Sequence, residues 1–106
     1  MDALTLTNEN FEHFLSGGSL ITLVDFWAPW CGPCKLMSPV VHELAQTMNE
    51  VQVGTLNVDD FPDIAQKYNI LSIPTFLIFK QGQVIDQFSG TMPKEVLAAR
   101  IREYLS

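Results

Sequence analysis

Hydrophobic and polar positions along the chain fall into two alternating periods. Ala3 to Leu6 reads as a short strand. Over the next ten residues Phe11, Phe14 and Leu15 share one helix face, with Thr7 or Asn8 as the N-cap and Gly17-Gly18 as the stop. Residues 20–27, "LITLVDFW", are almost continuously apolar, the mark of a strand covered on both faces. From Cys31 to about Met48, Met37, Val40, Val41, Leu44 and Met48 recur at helical spacing. Pro39 lies inside that pattern, so a kink or break is expected there. Residues 51–58 predict another strand. Residues 62–69 predict a short helix, with Pro62 near its first turn and Asn69 near its end. "PTFLIFK" and "QVIDQFSG" flank Gln81-Gly82 as a hairpin. Residues 93–105 close the chain as a helix, with Pro93 at its first position and Leu97, Ile101, Tyr104 and Leu105 facing inward.

Strands alternate with helices and then end in a hairpin and a helix, which predicts an α/β fold: a mixed sheet with helices on both faces. There is no repeat, linker or low-complexity segment, so residues 1–106 read as a single domain. A chain of this length, 47% hydrophobic and 17% charged, buries a real core without covalent help. A structural role for a disulfide is weakened accordingly. The formal net charge of -6 argues against nucleic acid and anionic membrane as partners. The opening "MDALTLTNEN" lacks the basic and apolar regions of a secretory signal, and no apolar run has the length of a bilayer span. The expected location is therefore the cytoplasm, where paired cysteines are more often catalytic or metal-binding than structural.

Both cysteines, Cys31 and Cys34, lie in "DFWAPWCGPCKLMSP". A zinc site needs four ligands, and only His13 and His42 could join them. His42 is eight residues beyond Cys34, about 12 Å along one helix, too far for bonds near 2 Å. His13 sits on another helix among phenylalanines. No metal site is expected, and neither histidine is given a chemical role.

A reactive pair has local physics behind it. The helix begins at or near Cys31, where unpaired N–H groups and the positive end of the helix dipole stabilise thiolate. Cys34 returns to the same side of the first turn, close enough for a disulfide, and Gly32-Pro33 connects the two stiffly. Cys31 is expected to be the more exposed sulfur and to attack; Cys34, covered by the helix, resolves. Asp25 is the only charge in its apolar run, so burial should raise its pKa. On the residues alone it is equally a proton carrier or a strand-end carboxylate bonded to backbone.

"WCGPC", preceded by "VDFWA" and followed by "IPTFLIFKQG" and "FSG", resembles the thioredoxin family over essentially the whole chain. The resemblance implies a five-stranded mixed sheet of order 1-3-2-4-5 with four flanking helices. It implies a protein dithiol–disulfide oxidoreductase that reduces target-protein disulfides through a reversible Cys31–Cys34 disulfide. Re-reduction would come from thioredoxin reductase, which uses NADPH, with no cofactor bound to this chain. Further implications are that Asp25 assists proton transfer to the buried sulfur and that Pro74 is cis beside the sulfurs. The Ile73 backbone would then pair with an extended substrate. The substrate face would comprise Trp30, Gly32, Pro33, Ile73, Pro74 and Gly90, on a monomer.

Thioredoxin is itself the reference case for a thiol of pKa near 7, against about 8.5 for free cysteine. Carried over, this raises thiolate at pH 7 from roughly 3% to 50%, while nucleophilicity falls about fivefold. The net gain in attack is only about threefold, which leaves most of the mechanism to docking and to the timing of Cys34. Two positions depart from the pattern. Thr55 stands where many bacterial relatives have lysine, and Leu71 where they often have arginine. Two other readings are an oxidant of exported proteins, disfavoured by Gly32-Pro33, and a binding or chaperone module whose thiols are incidental.

Overall fold

In the computed structural model, which describes residues 2–16 and 21–105, five strands and four helices follow one another as expected. They are β1 (Leu4–Thr5), α1 (Phe11–Leu15), β2 (Ile21–Trp27), α2 (Gly32–Thr47) and β3 (Val51–Asn57). After these come α3 (Pro62–Lys67), β4 (Thr75–Lys80), β5 (Gln83–Ser89) and α4 (Lys94–Arg102). The strands form one sheet of order β1-β3-β2-β4-β5. β1, β3 and β2 run parallel, and β4 and β5 are antiparallel to their neighbours. The Gly17-Gly18 stop and Leu20 lie outside the described residues.

Side chains alternate across a strand, so each central strand feeds two separate cores. Ile21 and Leu23 of β2, with Val51 and Val53 of β3, pack against Met37, Val41 and Leu44 of α2 and Leu97 and Ile101 of α4. Val24, Phe26 and Leu56 face the other way, onto Phe11 and Leu15 of α1 and Ile64 of α3. Continuing the first alternation by two residues puts Asp25 and Thr55 on the α2 side. The register pairs them directly, Asp25 beside Thr55.

Element ends differ from the sequence expectation for identifiable reasons. Thr7 Oγ1 accepts from the backbone N–H groups of Glu9 and Asn10, at 3.2 and 3.3 Å. It therefore caps an opening turn, and the regular helix starts only at Phe11, with Asn10 as its N-cap. Pro39 neither breaks α2 nor divides it; the helix runs from Gly32 to Thr47 with the proline inside. Pro93 is the N-cap of α4 and not its first helical residue. That helix stops at Arg102, while Tyr104 and Leu105, in the turn beyond, still pack against the same core. Gln81 and Gly82, at φ 53° and 79°, make the two-residue hairpin turn that twisted strands favour.

Candidate active site

The strand β2 ends at Trp27, and the chain turns through Ala28 to Trp30 before α2 begins. Cys31 is the N-cap of α2, in extended backbone, and its sulfur accepts the Cys34 backbone N–H at 3.1 Å. Pro33 occupies the first turn, where a missing N–H costs no hydrogen bond. Cys31 and Cys34 are joined as a disulfide, their Cα atoms 5.2 Å apart. The sequence leads one to expect Cys31 to be the more exposed sulfur. Taken as whole residues, both cysteines are buried, each 4% exposed. What separates them is direction. Cys31 Sγ lies 3.7 Å from the Ile73 carbonyl oxygen, whereas Cys34 lines a cavity on the other side.

That cavity, of about 150 Å³, is lined by Asp25, Trp27, Ala28, Pro29, Cys34, Lys35, Ser38, His42 and Thr55. Asp25 is 3% exposed, and its Oδ1 has no hydrogen-bond partner among the described residues. Burial of an unpaired carboxylate favours its neutral form, pushing the pKa up to about 7, with the nearby His42 acting weakly in the opposite sense. Among the described residues Oδ1 lacks the backbone bond that the alternative reading of Asp25 calls for. An acid poised near neutrality beside a sulfur can exchange a proton with it without committing to either form.

On the Cys31 side, the Ile73-Pro74 peptide is cis, and Pro74 is buried. The Pro74 carbonyl accepts the Gly90 N–H at 3.0 Å, which brings the end of β5 to the same place. Gly90 itself has φ 95°, a backbone conformation that side-chain-bearing residues rarely adopt. Trp30 is 68% exposed, its indole N–H donating to Asp59 at 2.9 Å. Trp30, Val58, Ile70, Leu71, Ser72 and Ile73 line a shallow groove, in which Leu71 is 95% exposed. Gly32 and Pro33, at the start of α2, are also exposed.

Asp25 thus shares a cavity with Cys34, Ile73 lies beside Cys31, and Trp30 shares a groove with Ile73. Two features escaped the sequence reading. His42, dismissed on its distance from a metal site, enters the Asp25 cavity, as do Lys35 and Ser38. The spacing 35, 38, 42 places all three on one helical face, a signal masked by the stronger apolar stripe of the same helix. Asp59, which holds the Trp30 ring, is twenty-nine residues away and has no local signature.

The family model described as Thioredoxin matches residues 2–103 of the chain. A protein named thioredoxin from Pyropia yezoensis is 44% identical over the full length of both chains. Thioredoxin 1 of Synechococcus elongatus is 44% identical over 97% of each. Among solved structures, a single-residue mutant of thioredoxin from Halobacterium salinarum superposes with a TM-score of 0.91 at 27% identity, over 99% of this chain and 92% of that one.

Proposed function

Because the chain belongs to the thioredoxin family, and is thus a protein dithiol–disulfide oxidoreductase, we propose that it acts chiefly as a reductase of protein disulfides. In the dithiol form, Cys31 thiolate attacks one sulfur of a substrate disulfide. The substrate S–S bond breaks, a Cys31–substrate disulfide forms, and the departing thiolate takes a proton from solvent. Cys34 then passes its proton to the Asp25 carboxylate and attacks Cys31. The mixed disulfide breaks, the second substrate thiolate leaves, and the protein retains the Cys31–Cys34 disulfide. Two electrons have passed to the substrate.

One observation carries the division of labour: the unpartnered Asp25 carboxyl shares a cavity with Cys34, while Cys31 faces Ile73 and the groove. Attack is assigned to Cys31 from that direction and from its N-cap position, where backbone N–H groups stabilise thiolate. Trp30, Gly32, Pro33, Ile73, Pro74 and Gly90 form the substrate face, on which the Ile73 backbone pairs with an extended substrate segment. Electrons return from NADPH through thioredoxin reductase, and the protein itself carries no prosthetic group. It works as a monomeric single domain of residues 1–106 in the cytoplasm, on protein substrates and not on nucleic acid or membrane. Among the described residues no helix is long and apolar enough to cross a membrane.

The test is insulin reduction with NADPH and a thioredoxin reductase. Expected is protein-dependent NADPH oxidation with precipitation of the freed insulin chains, abolished by Cys31→Ser and by Cys34→Ser. NADPH consumption no faster than with the reductase alone would overturn the reading.

A further inference from the structure

The cavity behind the disulfide is bounded by α2 and by the C-terminal ends of β2 and β3. β3 contributes the uncharged Thr55, and the turn after β2 contributes Trp27, Ala28 and Pro29. Besides Asp25 and Cys34, the titratable groups of its lining are Lys35 and His42, both from α2. Lysine side chains as a class stay charged across neutral pH, whereas imidazole changes charge between pH 5 and 8. His42 Nδ1 lies 2.9 Å from Asp2 Oδ1, so the N-terminal segment meets α2 beside this cavity. The bond holds the Asp2 carboxyl below its ordinary range. Glu43, the next residue on α2, is engaged elsewhere, by Lys94 at 3.0 Å.

We propose that His42, held in place by Asp2, is a positioning residue for the redox reaction, its charge setting how readily Asp25 takes the Cys34 proton. The inference rests on the reading of Asp25 as proton acceptor. A protonated His42 favours the ionised form of Asp25, which is the form that can accept. A positive charge at this position therefore keeps the acceptor available further into the acid range. Asp2 fixes the imidazole at this place beside the cavity. Asp25 feels His42 in the direction this requires.

The experiment is a single-turnover reaction of the reduced protein with a chromogenic aryl disulfide. One aryl thiolate is released on attack and a second on resolution, so the two steps are read separately. In His42→Gln the acid limb of the second phase should move up by roughly half a pH unit, as expected for a partly solvated charge, with the first phase unchanged. His42→Lys should hold the limb at or below its wild-type position. Asp2→Asn should move it up by less, and should have no effect in the His42→Gln background. Asp25→Asn should remove the limb. If Asp25→Asn removes it while both His42 variants overlay wild type, His42 has no such role and the acceptor reading stands. If Asp25→Asn leaves the limb in place, the acceptor reading fails and this inference with it. A shift from Asp2→Asn that persists without His42 would overturn the part given to Asp2.

Discussion

A carboxyl group that titrates near pH 4 in the unfolded chain and at about 7 in the fold binds more protons folded than unfolded throughout that interval. Stability contributed by Asp25 is therefore greatest at or below pH 4 and is lost as pH rises towards 7. The loss integrates to about 4 kcal/mol. Asp25→Asn removes this penalty but leaves a buried amide short of partners, which costs part of the gain. Denaturant melts should show the variant about 1–3 kcal/mol more stable than wild type at pH 8 and about 1–3 kcal/mol less stable near pH 4, where the cost of the buried amide alone remains. At the sulfurs, Cys34→Ser keeps the attacking thiol and loses the resolver. It should accumulate a covalent complex with a disulfide substrate, visible by mass, and Cys31→Ser should not. Asp25 was legible in the sequence because one charge interrupts an apolar strand. The equal burial of the two cysteines was not, since it depends on the Ile73-Pro74 segment, forty residues away, closing over Cys31.

Strand pairing decides what Asp25 meets across the sheet. Because Thr55 lies beside it in register and lines the same cavity, Thr55→Lys would bring an ammonium near the carboxyl. At an effective dielectric near 20 such a pair is worth on the order of 2 kcal/mol, about one and a half pH units. The resolution profile, which reports the coupled Asp25–Cys34 pair, should move to lower pH by that amount while attack barely moves. One residue earlier, Gly54 faces the opposite layer, where an added Cβ would lie 2.6 Å from Leu6 Cδ1 and 2.9 Å from Phe14 Cε2. Gly54→Ala should cost about 1–3 kcal/mol in denaturant melts, as overpacking does, and should lose less when Leu6→Ala makes room. Order and type of the elements were readable from the two hydrophobic periods. Their ends were not, because caps such as Thr7 and turns such as that of Tyr104 are decided by single hydrogen bonds and by packing. The break allowed for at Pro39 does not occur for a related reason: the buried face of α2, from Met37 to Leu44, supplies tertiary packing that local propensity leaves out.

For the whole molecule, the excess of acidic groups and the apolar groove act at different stages of an encounter. A net charge of -6 slows approach of acidic substrates and is screened by salt, whereas burial of apolar surface depends little on ionic strength. Leu71, almost fully exposed at the groove, has nothing to pack against until a partner arrives. Leu71→Ala should raise KM for a protein disulfide roughly fivefold with kcat held, as for a group that binds substrate and transition state alike. Steady-state kinetics on insulin would check it. A drop confined to kcat would place Leu71 in the chemistry instead.

The groove beside Cys31 and the cavity behind Cys34 have no lining residue in common. On the roles proposed for Cys31 and Asp25, electrons and protons would have separate doors. On that reading, a large substrate bonded to Cys31 and seated on the groove would not cover the lining of the cavity. The intermediate can thus exchange its proton with bulk buffer without letting go of its cargo, and the protonation of Asp25 can follow ambient pH during the covalent dwell. On the same reading, each substrate would meet the acidity of its compartment, not that of its own surface.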